Sequence, residues 1–147
     1  ELMYLGKQSG SISRSAERVY DVAKTYPRFV SFFLDGSKIL SEDEKKMFVE
    51  VHSRIFGLRT SWRGEGVKFP CKAIRFTQTK GLFKGLTARW SFVSKTSRET
   101  RVTICTSFRK APLTPWGERL LGTLVVEKVT AKILAELKRR SEEGLLT

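Results

Sequence analysis

The strongest constraint on the fold is a period of two in the hydrophobicity of residues 37 to 110. Apolar side chains recur there at every second position in short runs, which places them on one face of a β-strand. Trp90 and Phe92, for example, fall on the face opposite Arg89. The pattern predicts an antiparallel meander. The predicted turns between the runs are Ser41-Glu42-Asp43-Glu44, Gly64-Glu65-Gly66 and Lys80-Gly81.

The residues before this region predict one more strand and two short helices. Residues 3 to 12 are predicted as the opening strand, and Ser15 is placed to cap a helix with Glu17 in its first turn. The stripe of that helix is Val19, Val22, Ala23 and Tyr26, and Pro27 ends it. Residues 29 to 34 predict a second short helix.

The residues after the meander predict one long helix. Thr114 can cap it with Pro115 at its first position, and an apolar stripe continues to Leu137 over about 25 residues. The order of elements predicts an α+β fold, in which a curled antiparallel sheet of six to seven strands wraps around the C-terminal helix. No linker interrupts residues 1–147, so we expect a single domain.

A curled sheet of this size encloses more volume than one helix fills, which predicts an apolar cavity, with a fully packed core as the alternative. We expect its opening near the second short helix. The predicted ligand-binding residues are Phe29, Phe33 and Leu34 at the opening, Trp62, Ile74, Phe76, Trp90, Phe92, Ile104 and Phe108 on the sheet, and Leu121, Leu124, Val125 and Val129 on the helix.

The positive charge is concentrated in the sheet. The net charge is +13, and residues 36 to 110 hold 17 Lys and Arg against 6 Asp and Glu. Alternation places most of these cations on the outer face, which predicts attraction to a polyanion, either RNA or an anionic membrane. The predicted polyanion-binding residues are Arg59, Arg63, Arg75, Lys80, Lys84, Arg89, Arg101 and Arg109.

The residue types that most catalytic and metal sites need are scarce. His52 is the only histidine, and alternation places it outward with Glu50. Cys71 and Cys105 lack the spacing of a zinc site and are assigned to outward strand positions. We therefore predict no catalytic residue, no metal site and reduced thiols, as in a cytoplasmic protein; a location at the membrane periphery is the alternative.

Three motifs follow one another along the chain. Ser15-Ala16-Glu17-Arg18-Val19-Tyr20-Asp21-Val22 is followed by Tyr26-Pro27-Arg28-Phe29, and Gly81-Leu82-Phe83-Lys84-Gly85-Leu86 precedes Trp90-Ser91-Phe92. Together with the terminal helix, this set resembles the coenzyme Q-binding and polyketide cyclase-like families of the START superfamily. Family members often have Leu-Pro-Trp-Cys where this chain has Val30-Ser31-Phe32-Phe33.

The resemblance implies a helix-grip fold with a hydrophobic tunnel between the sheet and the C-terminal helix. Our leading hypothesis is non-catalytic binding or transport of an isoprenoid quinone or another lipid, with no other cofactor. The ribosome association toxin belongs to the same broad group, so a regulator that binds the ribosome or RNA through the basic face is the first alternative. The second is a polyketide cyclase or aromatase, for which alternation offers Thr60, Thr106 and Lys72 as polar groups in the tunnel.

Overall fold

The computed structural model describes residues 2–25, 36–55, 58–80, 84–109 and 127–143. Seven strands and two helices occupy them. Their bounds are β1 Leu2–Ile12, α1 Ala16–Ala23, β2 Gly36–Glu42, β3 Lys46–Ile55, β4 Leu58–Phe69, β5 Ala73–Lys80, β6 Leu86–Thr96, β7 Glu99–Arg109 and α2 Lys128–Glu143.

The seven strands form one antiparallel sheet in the order β1-β7-β6-β5-β4-β3-β2. Strands β2 to β7 each pair with their sequence neighbour. Strand β1 forms one edge of the sheet and pairs with β7, from Leu2 opposite Arg109 to Ile12 opposite Thr100. The α+β prediction with a curled antiparallel sheet is therefore confirmed, at seven strands. A meander of this kind forms readily because each new strand pairs with the one just before it.

Helix α1 begins where its sequence indicates but ends earlier, at Ala23. The Ser15 side chain accepts a hydrogen bond from the Arg18 backbone N–H at 3.3 Å, and Glu17 lies in the first turn. The buried face consists of Val19, Tyr20, Val22 and Ala23. The helix ends at Ala23, before Pro27; Tyr26, Pro27 and the predicted second short helix lie outside the described residues.

Helix α2 covers one end of the sheet's inner face. Its buried residues, Thr130, Ile133, Leu137 and Ser141, recur at helical spacing, and the helix contacts β1, β7 and α1. The Glu142 carboxylate accepts hydrogen bonds from the Ser13 backbone N–H at 2.8 Å and from Lys138 at 2.7 Å. These contacts fix the end of α2 to the β1–α1 connection. The part of the predicted helix before residue 127 lies outside the described residues.

The predicted turn at Gly64-Glu65-Gly66 is wrong. All three residues lie inside β4, which pairs without interruption with β3 from Leu58 to Val67. The glycines serve close packing instead. A Cβ atom at Gly66 would lie 3.0 Å from Cε1 of Phe76, and one at Gly64 would lie 3.3 Å from the Thr77 carbonyl oxygen. Glycine within a strand marks a close approach of neighbouring atoms as readily as it marks a turn.

The other strand connections differ from the prediction by a few residues. The β2–β3 turn comprises residues 43–45 rather than 41–44. The Asp43 carboxylate accepts hydrogen bonds from the backbone N–H groups of Lys45 and Lys46, which lower its pKa. Cys71 is not on a strand: it lies in the β4–β5 turn with φ 59° and packs against the core.

We expect Gly66→Ala to destabilise the protein by about 1–3 kcal/mol, because the added methyl group must displace the buried ring of Phe76. Gly10→Ala is the matched control, since its Cβ would lie 3.3 Å from the end of the Leu134 side chain, which can move aside. Urea unfolding measures both free energies. Equal losses in the two variants would contradict this account of β4.

Candidate functional site

The inner, concave face of the sheet has a packed half and a more open half. In the packed half, Ile74, Trp90, Phe92, Val102 and Ile104 are at most 5% exposed and form one core cluster with α1 and α2. The ring of Phe92 meets that of Tyr20 edge-on at 6.0 Å. Burial raises the pKa of the Tyr20 hydroxyl. These residues are held by close packing.

The open half lies where β4 begins, β5 ends and β6 begins. Its inward residues Trp62, Gln78, Leu86 and Ala88 all keep partial access to solvent. Phe76 joins the two halves, because its ring meets that of Trp90 at 5.4 Å while the register places Phe76 opposite Ala88. The inner face therefore has apolar surface that the described helices do not fully cover.

Polar groups on this face were only partly predicted. Thr106 is buried on the inner side, as alternation predicted. The Gln78 side-chain oxygen is buried without a hydrogen-bond partner, and the alternation of β5 could have identified it. The prediction for Lys72 is wrong, since it is exposed in the β4–β5 turn. The side chain of Thr60 lies outside the description.

The structure describes about half of the predicted ligand-binding side chains. Ile74, Trp90, Phe92 and Ile104 lie in the packed half, whereas Trp62 and Phe76 border the open half. Val129 is half-buried against the core. Phe108 lies on β7, but its side chain is not described. The remaining predicted residues, Phe29, Phe33, Leu34, Leu121, Leu124 and Val125, lie outside the described residues.

A cavity of about 480 Å³, open to solvent, lies at the end of α1, and its lining includes Lys68. The Lys68 side chain is only 6% exposed. Its Nζ donates hydrogen bonds to Glu42 Oε2 and to the Asp43 carbonyl oxygen, both at 2.8 Å. Sequence reasoning missed this buried lysine, because placing a turn at residues 64–66 interrupted the alternation that runs from Trp62 to Lys68. The other lining residues that the structure describes are Lys24, Thr25, Ile39, Glu42, Asp43 and Glu44.

The outer face has a row of six aligned residues on six strands, four of which are cations, and we call it the cation row. The register aligns Lys46, Val67, Arg75, Arg89, Cys105 and Lys7 on β3, β4, β5, β6, β7 and β1. Arg75 and Arg89 are direct cross-strand partners. Within the described parts of the chain, no carboxylate forms an ion pair with either. Like charges directly opposite each other destabilise a sheet, so the pair is not explained by stability.

The surroundings of this cation row suit phosphate groups. On one side lies a row that includes the hydroxyls of Ser91, Thr103 and Ser9, and beyond it Arg101 is exposed. The Arg89 guanidinium lies 6.0 Å from the centre of the Phe69 ring, which is itself 39% exposed. The outer face thus combines cations, hydroxyls and an exposed aromatic ring.

The other predicted polyanion-binding residues are mostly exposed as well. Arg63 differs from the rest because its Nε donates to Glu50 at 3.1 Å. His52 is exposed and lies 3.1 Å from the same carboxylate group, on the outward side. Side chains exposed in the structure include Arg59, Arg63, Lys80, Lys84 and Arg101, whereas that of Arg109 is not described.

The described residues contain no group of three or more His, Cys, Asp or Glu side chains that could hold a metal ion. None of their helices is both long and apolar enough to cross a membrane.

The seven-stranded curled sheet, its terminal helix and the apolar inner face define a helix-grip protein. The chain belongs to the family described as polyketide cyclase / dehydrase and lipid transport, which matches residues 12–137. No curated protein matches the chain.

Solved structures share this fold at low sequence identity. The Zhui aromatase/cyclase from Streptomyces sp. R1128 is similar with a TM-score of 0.76 and 19% identity, over 95% of this chain and 96% of that one. A START superfamily protein from Mycobacterium smegmatis gives 0.72 and 16%, over 93% and 98%. A point mutant of norcoclaurine synthase from Thalictrum flavum gives 0.74 and 10%, over 98% and 95%. At these identities the likeness shows the fold alone.

Proposed function

We propose that this protein binds and carries a hydrophobic small molecule, an isoprenoid quinone or another lipid, without catalysing a reaction on it. The observation that carries the proposal is the open half of the inner face, where Trp62, Leu86 and Ala88 keep access to solvent. Covering such surface with an apolar ligand contributes roughly 25 cal/mol per Å². Lipid transport is part of the description of the family.

In this proposal the residues of the two halves have different roles. Trp62 and Phe76 contact the ligand, because they border the open half. Ile74, Trp90, Phe92 and Ile104 form the packed wall beside the ligand. Contacts from Phe108 and Val129, from the opening at Phe29, Phe33 and Leu34, and from Leu121, Leu124 and Val125 remain part of the prediction.

Cyclisation or aromatisation of a polyketide is the second candidate, and the buried Thr106 and the unpartnered Gln78 oxygen favour it. Neither group is an effective proton acceptor at neutral pH. No histidine or carboxylate of the described residues projects from β5, β6 or β7 onto the inner face. We therefore favour a carrier over an enzyme.

The carrier proposal predicts uptake of an apolar molecule that a bulky side chain at Ala88 blocks. Purified protein should extract decylubiquinone from vesicles, and mass spectrometry under native conditions should detect the complex. Ala88→Phe should reduce uptake at least about tenfold, because the ring fills the open half. Thr87→Phe is the control, since Thr87 faces outward on the same strand, and it should stay within about twofold.

Absence of any bound lipid after extraction with organic solvent, together with no uptake from vesicles, would contradict the carrier proposal. Equal loss in the two phenylalanine variants would show that the open half is not the binding site.

We also propose that the cation row binds a polyanionic surface. The observation that favours this is the Arg75–Arg89 pair, which lowers stability and has no ion-pairing carboxylate among the described residues. An anionic membrane is the partner that fits a lipid carrier. The ribosome is the alternative. The face of Phe69 that an RNA base would stack on is shared with Arg89, which favours the membrane.

We expect Arg75→Gln to weaken binding and to strengthen the fold at the same time. Binding to vesicles with 30% anionic phospholipid, measured by co-sedimentation at about 50 mM salt, should fall several-fold and vanish near 200 mM. The free energy of unfolding should rise by up to about 1 kcal/mol, because the repulsion from Arg89 is removed.

Arg63→Gln is the matched control, because Arg63 already has Glu50 as its partner. It should affect binding less and give no gain in stability. Salt-sensitive sedimentation with ribosomal subunits, without binding to vesicles, would instead favour the ribosome. No binding to either would contradict the role of the cation row.

A further inference from the structure

We propose that the open cavity at the end of α1 binds the polar end of the carried molecule, and that this end is an uncharged oxygen group, a ketone or quinone carbonyl or a hydroxyl. The inference rests on the proposed carrier function and names the ligand class. It follows from the ion pair between the buried Lys68 and the partly exposed Glu42 in the cavity wall, from the hydrogen bonds of Lys68 and from the charges around them.

The buried position of Lys68 lowers the stability of the fold. It is an inward residue of β4 opposite Ile74, and Trp90 and Ile104 continue the same row across β6 and β7. Each of those three is at most 2% exposed. Burial removes the hydration of the Lys68 ammonium group, and an ion pair with the partly exposed Glu42 carboxylate recovers only part of that loss. An apolar residue would therefore suit the fold at least as well, which points to a role for the ammonium group itself.

The ammonium group of Lys68 has one N–H donor that it does not use in bonds to described residues. Lys68 Nζ carries three N–H donors, and two of them go to Glu42 and to the Asp43 carbonyl oxygen. Among the described residues, no third acceptor lies within hydrogen-bond distance. A ligand oxygen that enters the adjoining cavity can accept this third N–H in place of solvent.

The charge of the cavity selects a neutral oxygen over an anionic one. Among the lining residues that the structure describes, Lys24 and Lys68 are cationic and Glu42, Asp43 and Glu44 carry carboxylates. Lys24 also lies 3.2 Å from Asp21. The net negative charge repels a carboxylate or phosphate, whereas a carbonyl or hydroxyl oxygen accepts the N–H of Lys68 without that repulsion. A cationic ligand could not accept it.

The apolar part of the molecule can pack against an apolar side of the cavity. Ile39 lines the cavity and also packs against the core cluster. An amphiphilic molecule can therefore place its oxygen at Lys68 and its apolar part towards the interior.

Three probes with ten-carbon chains test the inference on the full chain labelled with ¹⁵N: 1-decanol, 2-decanone and decanoate. We expect the alcohol and the ketone to shift the amide signals of Thr25, Glu42 and Lys68 at pH 7.4. We expect their Kd values to be about tenfold lower than that of decanoate, which is repelled by the carboxylates.

Two substitutions separate the contributions of the pair. Lys68→Met should raise the Kd of decanol about five- to tenfold, because the donor is lost. Glu42→Gln should lower the Kd of decanoate several-fold, because one repelling charge is removed and Lys68 is freed to attract it. Lys72→Met is the control, since Lys72 is exposed in the next turn, and it should change neither value by more than about twofold.

Equal affinity of wild-type protein for decanol and decanoate would overturn the inference, and this comparison needs no variant to fold. An unchanged Kd for decanol in Lys68→Met would do the same. Shifts confined to the amides around Trp62 and Ala88 would overturn the Lys68 site while leaving the carrier proposal intact. Binding of neither decanol nor decylubiquinone anywhere would remove both.

Discussion

The structure depends on a mismatch of area between one apolar sheet face and the described helices that cover it. Seven strands carry apolar residues on their inner side, whereas α1 and α2 meet the sheet around β1, β6 and β7. Where these helices lie, the interior is closely packed. Where β4, β5 and β6 carry the apolar face further, Trp62 and Ala88 keep partial contact with solvent. In the proposed function, one half of this surface therefore supplies stability and the other half binds the ligand.

The outer face follows from the same alternation, because a strand that buries Trp90 must turn Arg89 to solvent. Alternation alone does not require the outward residues to be arginines set opposite one another. Arg63 is an outward arginine with an ordinary ion pair, since it pairs with Glu50 on the neighbouring strand. Arg75 faces Arg89 instead. This contrast between two cross-strand pairs of one sheet is the basis for proposing an anionic partner for the cation row.

The sequence was sufficient for the strand order and for the faces of β5, β6 and β7, because a period of two survives wherever a strand is regular. The prediction failed at two glycines, because glycine occurs both in turns and at close contacts within strands. Gly64 and Gly66 allow the Thr77 backbone and the Phe76 ring to approach β4, contacts with a neighbouring strand that no local pattern records. That error hid the inward position of Lys68. Cys71 was misplaced for a related reason. Its positive φ belongs to a tight turn, and a non-glycine residue at such a position gives no sequence signal for the turn. Gln78, by contrast, was within reach of alternation alone.

The β2–β3 turn connects the two proposed sites. Lys46 ends the cation row on the outer face, and its backbone N–H is bound at 2.8 Å by the carboxylate of Asp43, whose own carbonyl oxygen accepts from Lys68. One side of this turn thus faces the proposed membrane and the other lines the cavity. In a bilayer, the oxygen-bearing end of an amphiphilic lipid lies at the interface and its chain lies deeper. A molecule that leaves the bilayer beside the cation row would therefore already have its oxygen-bearing end near Lys68. In this proposal, the proximity accounts for the buried charge of Lys68 at the end of β4, beside the turn.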